Sequence, residues 1–178
     1  MLVEVRVQSL ALDRTTNSPV VILQEVDGER VLPIWIGPSE ASAIAMQLAD
    51  MEFSRPLTHD LLCSVLTGLG GALQKVIITK VQKSTYYAEL IVRRNGEVIS
   101  LDARPSDSIA VALRVDARIF ADGELLEVAT IEIAEEDASA ESGAERLERI
   151  EPDVQMGPEE LKEHLRRLNP EDFGRFTP

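Results

Sequence analysis

The chain has 178 residues, 44% of them hydrophobic, which is enough for one self-standing domain and a tail without disulfides or a structural metal. Its formal net charge of −13 argues against a protein that binds duplex nucleic acid through basic side chains alone. The single cysteine, Cys63, fits a reducing compartment, and no apolar run approaches the roughly 18 residues of a membrane span. The alternating N-terminal residues do not resemble a signal peptide, so we expect a cytoplasmic protein without membrane contact.

The first third of the chain predicts strands joined by a hairpin. Val3, Val5 and Val7 alternate with polar residues, as in a half-buried strand. Two further strands, 20–26 and 30–36, flank an Asp-Gly pair that is typical of a hairpin. A helix is expected after Gly37, because apolar residues then recur at helical spacing with Glu40 in the first turn.

The middle of the chain predicts a second helix, three more strands and a third helix. Thr58 and Ser106 are expected to cap the two helices, and Asn95 with Gly96 predicts a type I′ hairpin turn. The strands are expected at 76–81, 86–92 and 97–101, with short closing strands at 119–120 and 131–133. The apolar face of the second helix is assigned to Leu61, Leu62, Val65, Leu66 and Leu69, with Cys63 buried among them. These elements predict an α+β domain: a mixed, largely antiparallel sheet built from hairpins, with about three packed helices.

The composition changes near residue 134 and divides the chain into three parts. Residues 1–133 form the expected α+β domain and hold 12 Lys and Arg against 18 Asp and Glu. Residues 134–157 lack an apolar period and are rich in Glu, as is typical of a flexible acidic linker. Residues 158–178 begin with a proline suited to the first helical position and continue as a short amphipathic helix and tail. The apolar stripe of that helix comprises Leu161, Leu165 and Leu168.

Two polar clusters stand at predicted helix starts. The first runs from Arg55 to Asp60 and contains His59, and the second runs from Asp102 to Ser108. A domain that needed only a core and helix caps would not require Arg, His and three Asp at two such junctions. If the junctions meet in space, they are the best candidate for a site of chemistry.

Four motifs occur in one order along the chain, at residues 32–41, 55–61, 86–88 and 102–114. In this order they resemble the bifunctional nuclease family, and the resemblance covers about residues 1–130. That resemblance implies a compact α+β domain, often dimeric, with activity on both DNA and RNA. The C-terminal helical ending is similar to the usual end of family members.

The residue types in the two clusters suit phosphodiester hydrolysis. His59 and Asp60 are candidates for acid–base work, Arg104 for contact with a phosphate, and Asp107 for either catalysis or metal binding. Asp102, Asp107 and Glu40 offer the oxygen ligands that Mg²⁺ or Mn²⁺ prefers, and a bound metal would reduce the electrostatic objection raised by an acidic chain.

Each candidate also has a structural explanation. Glu40, Asp60 and Asp107 lie in first turns of helices, where a carboxylate simply favours the positive end of the helix dipole. Arg104 could form a structural ion pair with a neighbouring Asp, and His59 could be an ordinary hydrogen-bonded histidine.

The sequence therefore leads to two hypotheses. The first is a metal-assisted nuclease that hydrolyses DNA and RNA with little sequence preference, acting as a homodimer. The second is a non-enzymatic regulatory or assembly domain that binds a small anion or a protein partner. The acidic charge balance and the absence of an established catalytic motif favour the second.

Overall fold

One mixed sheet of seven strands organises the molecule, and helices pack against it. The computed structural model describes residues 1–13 and 16–129. The strands are β1 (Leu2–Asp13), β2 (Ser18–Glu25), β3 (Val31–Trp35), β4 (Gly71–Gln82), β5 (Thr85–Arg94), β6 (Glu97–Ala103) and β7 (Arg118–Asp122). The helices are α1 (Pro38–Leu48), α2 (Thr58–Gly68) and α3 (Pro105–Val115), and residues 123–129 form a further helical segment. The α+β class expected from the sequence is confirmed.

Strand β7 joins two antiparallel units into one sheet. The strand order is β3-β2-β1-β7-β4-β5-β6, in which β7 runs antiparallel to β1 and parallel to β4. Because parallel neighbours need a long connection, the chain passes through β5, β6 and α3 before it returns as β7. The short strand expected at 119–120 is thus central, and the one expected at 131–133 lies outside the described residues.

Tight turns with positive φ set the register of the second unit. Asn95 (φ 52°) and Gly96 (φ 85°) adopt the two positive φ angles that a type I′ turn requires, as predicted. Lys83 (φ 49°) and Ser84 (φ 62°) form a second such turn, although neither residue type predicts a positive φ. The Asp-Gly hairpin between β2 and β3 is present, but its connection spans residues 26–30.

The helix caps differ from the prediction, because the N-cap positions of α2 and α3 lie one and two residues before the hydroxyls that were expected to cap them. The N-cap residues are Leu57 and Arg104, and neither side chain caps its helix. Asp60 accepts the Leu57 backbone N–H (2.8 Å) and so satisfies the donor of the N-cap residue, and the cap predicted at Thr58 is wrong. Pro105 occupies the first position of α3, where its missing N–H costs nothing, and this makes the predicted Ser106 cap wrong.

Helix α3 carries the central part of the core. Ile109 and Ala112 are fully buried and pack with Ile44 of α1 and with Val76 and Ile78 of β4. A continuous apolar contact therefore fixes α3 on the sheet, and its N-terminal turn is held in a defined place.

Helix α2 packs differently from the prediction, since none of its residues is buried. Its partly covered residues include Cys63 and Leu66, and Leu66 lies against Gly71 at the start of β4. The helix contacts α3 and β4 through this side, and the other four residues of the predicted apolar face are exposed: Leu61, Leu62, Val65 and Leu69. Of the predicted apolar face only Leu66 is partly covered, and Cys63 is half-buried where the sequence predicted a buried thiol.

The described residues include no helix that is both long and apolar enough to cross a lipid bilayer. The proposed linker 134–157 and the C-terminal segment 158–178 lie outside the described residues.

Candidate functional site

Three helix N-termini carry an acidic residue at the same position. Glu40 of α1, Asp60 of α2 and Asp107 of α3 are each the third residue of their helix. A carboxylate there interacts favourably with the partial positive charge at the N-terminus of its own helix.

Arg104 links two of these carboxylates. Its Nη1 donates to Glu40 Oε1 (2.7 Å), its Nε donates to Asp107 Oδ2 (2.8 Å), and its Nη2 donates to Asp107 Oδ1 (3.2 Å). The bidentate pair with Asp107 matches the fork of the guanidinium to the two oxygens of the carboxylate. The Arg104 side chain nevertheless keeps 64% of its surface exposed, so it faces solvent while Glu40 and Asp107 hold it in place.

His59 of α2 reaches the same carboxylate from the other side. Its Nε2 lies 3.1 Å from Asp107 Oδ1, and its side chain is 15% exposed. Burial acts to raise the pKa of Asp107, but the hydrogen bonds from Arg104 and His59 outweigh it and hold that pKa below its usual value. Because Asp107 is therefore ionised, the His59 nitrogen that faces it carries the proton and donates it.

The same pairing acts on the charge of Arg104. Hydrogen bonds to Asp107 and Glu40 raise the pKa of Arg104 above its ordinary value, so the guanidinium stays charged at any relevant pH. With His59 neutral, Glu40, Asp107 and Arg104 sum to one negative charge, which the positive ends of three helix dipoles oppose.

Asp60 has a structural partner that the sequence analysis did not single out. Arg114 of α3, whose side chain is only 6% exposed, donates through Nε to Asp60 Oδ1 (2.5 Å). Its other N–H groups donate to the carbonyl oxygens of Ala43 (3.3 and 3.4 Å) and Ala110 (2.9 Å). One side chain thus ties α1, α2 and α3 together. The one available signal was an arginine in the last turn of an apolar helix, and that pattern usually indicates only a favourable dipole contact.

The predicted site residues therefore separate into three groups. Glu40, His59, Arg104 and Asp107 form one continuous hydrogen-bonded cluster, which we call the His59–Arg104 cluster. Asp60 has both carboxylate oxygens occupied, by Arg114 and by the Leu57 N–H. Asp102 is exposed on β6 opposite Glu89 of β5, and it makes none of the cluster's hydrogen bonds.

The expected metal ligands are arranged as ion-pair partners. Asp107 and Glu40 both accept hydrogen bonds from Arg104, and Asp102 lies on β6, the strand that precedes α3. Within residues 1–13 and 16–129 no group of three His, Cys, Asp or Glu side chains is placed to hold a metal ion. As they stand, these carboxylates do not fit a divalent cation, because Arg104 would first have to leave.

Comparison of the sequence with known proteins shows which family the chain resembles. The family model described as "Bifunctional nuclease domain" matches residues 21–134. An uncharacterized protein of Mycobacterium tuberculosis (strain H37Rv) is 41% identical over 170 residues, covering 96% of this chain and 97% of that protein. Bifunctional nuclease 1 of Oryza sativa subsp. japonica is 28% identical over 105 residues, or 57% of this chain and 32% of its own length. Bifunctional nuclease 1 of Arabidopsis thaliana is 27% identical over 100 residues, or 54% and 31%.

Fold and site together define an α+β domain with a histidine–carboxylate–arginine cluster at the meeting point of its helix N-termini. The family match covers well over half of the chain, so the chain belongs to the bifunctional nuclease domain family. The resemblance first noted in four sequence motifs is thereby confirmed.

Proposed function

We propose that this protein is a nuclease that hydrolyses phosphodiester bonds of DNA and RNA with little sequence preference. The observation that carries the proposal is the His59–Arg104 cluster, which combines a candidate base, a carboxylate that orients it and an exposed arginine. The names of the plant relatives favour the same class of activity.

Arg104 is the proposed phosphate-binding group. A guanidinium has five N–H donors, and three hydrogen bonds to Asp107 and Glu40 leave two donors for a non-bridging phosphate oxygen. Those donors stabilise the negative charge that builds on the phosphate oxygens as the water attacks. Since Arg104 recognises the phosphate and not a base, the proposal accounts for weak sequence preference.

His59 is the proposed general base. With Nε2 donating to Asp107, the other ring nitrogen, Nδ1, keeps its lone pair and makes no hydrogen bond to residues 1–13 or 16–129. It takes a proton from the attacking water as the new P–O bond forms, and the P–O bond to the leaving oxygen breaks. The leaving oxygen takes a proton from solvent. Because water is the nucleophile, no 2′-hydroxyl is needed, and one site serves DNA and RNA.

Metal assistance is a further part of the proposal, and none of the steps above depends on it. A divalent ion would neutralise phosphate charge, and Asp107, Glu40 and Asp102 are the oxygen ligands at hand. The ion pairs of Arg104 oppose this use of Asp107 and Glu40. We therefore derive no step through a metal, and we treat the Mg²⁺, Mn²⁺ and EDTA responses as measurements that decide its role.

The decisive experiment is cleavage of labelled single-stranded DNA, duplex DNA and RNA by pure protein and by the His59→Gln variant. His164→Gln, at the chain's second histidine, is the matched control for contaminating nucleases, since it passes through the same purification. Cleavage by wild type and His164→Gln that is lost in folded His59→Gln supports the proposal. Equal cleavage by all three proteins, or none by any, contradicts it.

A second function has support from a different observation, the formal net charge of −13. A chain this acidic repels polyanions at long range, and an arginine already paired with two carboxylates can serve as a small-anion or partner contact. On this alternative, a regulatory or assembly domain, isothermal titration with inorganic phosphate or a mononucleotide would show Arg104-dependent binding without turnover.

We also propose the cytoplasm as the compartment. The support is one cysteine, Cys63, which cannot form an internal disulfide and fits a reducing environment. Fractionation of the source cells tests this, and recovery of the protein outside the cytoplasm would contradict it.

A further inference from the structure

The outer face of α2 exposes a contiguous apolar surface. Three of its side chains and that of Leu69, which caps its C-terminus, leave between 45% and 61% of their surface uncovered, which is unusual for large aliphatic groups this close together. They recur at spacings of one, four and eight residues and so share one side of the helix. These residues are Leu61 (54%), Leu62 (45%), Val65 (48%) and Leu69 (61%), and we call them the α2 face.

The chain contains a second apolar stripe that needs cover. Leu161, Leu165 and Leu168 follow one another at spacings of four and three residues behind Pro158, which is the pattern of one side of a helix. The stripe spans about 10 Å at 1.5 Å per helical residue, and the α2 face spans about 12 Å by the same measure. Two short stripes of matched length bury more apolar surface together than either does alone.

The connection between the two is long enough for them to meet within one chain. Residues 130–157 form a stretch of 28 residues whose r.m.s. span, if it behaves as a flexible chain, is roughly 30 Å. That span is close to the diameter of a domain of this size, about 30–40 Å. Tethering at this length gives an effective concentration in the millimolar range, far above that of a second copy at micromolar protein.

The comparisons separate the domain from this segment. The mycobacterial relative matches 96% of the chain, which leaves too few residues unmatched to omit the stripe. The rice and Arabidopsis relatives match 57% and 54%, a length accounted for by the domain. The segment therefore lies within the match to the mycobacterial relative, whereas the matched lengths of the plant relatives do not require it.

We propose that residues 158–168 dock as a helix on the α2 face of their own chain. Leu161, Leu165 and Leu168 pack against the exposed aliphatic side chains, and the acidic linker spans the domain. The docked segment lies on the helix that carries His59, so it adds stability to one wall of the site. The inference goes beyond the proposed nuclease activity and does not depend on it.

Thiol labelling tests the docking directly. In full-length protein carrying Cys63→Ser and Val65→Cys, the new thiol in the α2 face is the only one in the chain. If the segment docks, replacing Leu161 and Leu165 by Ser in that background raises the rate of labelling at position 65. We expect a rise of at least about tenfold, which is the ratio for a segment docked roughly nine-tenths of the time.

Two controls keep the outcome unambiguous. Glu160→Ser with Glu163→Ser alters the same segment away from the stripe and should leave the labelling rate unchanged. The rates are measured from about 1 to 100 μM protein, since an intramolecular contact does not depend on concentration. Equal rates in all three proteins overturn the proposal. Protection that disappears on dilution also overturns it, and assigns the α2 face to a second copy of the chain.

Discussion

His59 Nε2 and Asp107 Oδ1 lie 3.1 Å apart although 48 residues separate them in the chain. This contact joins the first turn of α2 to the first turn of α3, and Arg104 extends it to Glu40 of α1. The two polar clusters of the sequence thus meet because the helices that follow them share a common packing centre. A local feature, an acid at the third helical position, becomes part of a shared site through tertiary packing.

Asp107 is predicted to be needed for cleavage. Asp107→Asn keeps the size of the side chain but removes the charge that orients the protonated nitrogen of His59, so we expect cleavage to fall by about 10²-fold or more. Asp102→Asn is the matched control, because Asp102 is exposed on β6 and makes none of the cluster's hydrogen bonds. Initial rates on labelled RNA and DNA measure the difference.

Thermal unfolding of Asp107→Asn and Asp102→Asn shows whether both variants are folded, so that their cleavage rates can be compared. The Asp107 side chain is one-third exposed, so its loss should shift the midpoint by only a few degrees. Loss of cleavage in Asp102→Asn, with Asp107→Asn still active, would instead indicate chemistry centred on β6 and would contradict the site described here.

Arg104→Lys is predicted to weaken substrate binding without unfolding the protein. Lysine keeps the charge but cannot pair with Asp107 through two N–H groups and still offer two more to a phosphate. The loss of one or two charged hydrogen bonds corresponds to a fall in kcat/KM of about 10- to 100-fold. Arg93→Lys, at an exposed arginine of β5, should leave kcat/KM unchanged. Equal kinetics for Arg104→Lys and wild type would exclude a bidentate role.

Local signals in the sequence were enough for the elements, and they were insufficient for the contacts between them. Asn95 and Gly96 predict their turn, because few residue types adopt a positive φ and these two do so readily. The α2 face was misassigned because periodicity shows that a helix has an apolar side and does not show what lies beside it. Arg114 gave no signal, since its partners Asp60 and Ala43 are 54 and 71 residues away.

Acid is predicted to destabilise the fold through its paired carboxylates. Burial acts to raise the pKa of Asp60, but hydrogen bonds from Arg114 and from the Leu57 N–H outweigh it and lower that pKa. The unfolded chain, with an Asp pKa of about 3.9, then takes up the proton first as the pH falls. The stabilisation is therefore complete above about pH 5 and is lost progressively below about pH 4.

Urea unfolding of wild type and Asp60→Asn at several pH values between 7 and 3 measures this dependence. The variant should be less stable at pH 7 and should lose less stability on acidification, so the two curves converge at low pH. Parallel curves would show that Asp60 titrates alike in the folded and unfolded chain, contrary to the ion pair with Arg114.

The homodimer expected from the sequence has a candidate surface in the edge strand β6. Within the described part of the chain this strand pairs only with β5, and its exposed apolar side chains include Val98 (68%), Ile99 (36%) and Leu101 (44%). An open edge of this kind can pair with its own copy about a two-fold axis. Light scattering at micromolar concentration should give twice the chain mass, and Val98→Lys with Leu101→Lys should give the single mass. A monomer in the wild type would refute the dimer.

Arg114 is predicted to be the most sensitive polar residue for stability in this group of helices. Arg114→Met keeps the apolar length of the side chain but leaves Asp60 without its guanidinium and the carbonyls of Ala43 and Ala110 without a donor. Because Asp60 is one-third exposed, water replaces part of what is lost, and we expect a cost of about 2 kcal/mol. For a chain of this size that corresponds to a fall in the unfolding midpoint of roughly 4–8 °C.

A double-mutant cycle with Asp60→Asn separates the ion pair from the carbonyl contacts of Arg114. If the pair carries most of the effect, Arg114→Met costs much less in the Asp60→Asn background than in wild type. If the carbonyl contacts to α1 and α3 carry it, the two costs simply add. Either result leaves Arg114 as the residue that holds α1, α2 and α3 together. A melting midpoint unchanged in Arg114→Met would instead show that apolar packing alone positions the His59–Arg104 cluster.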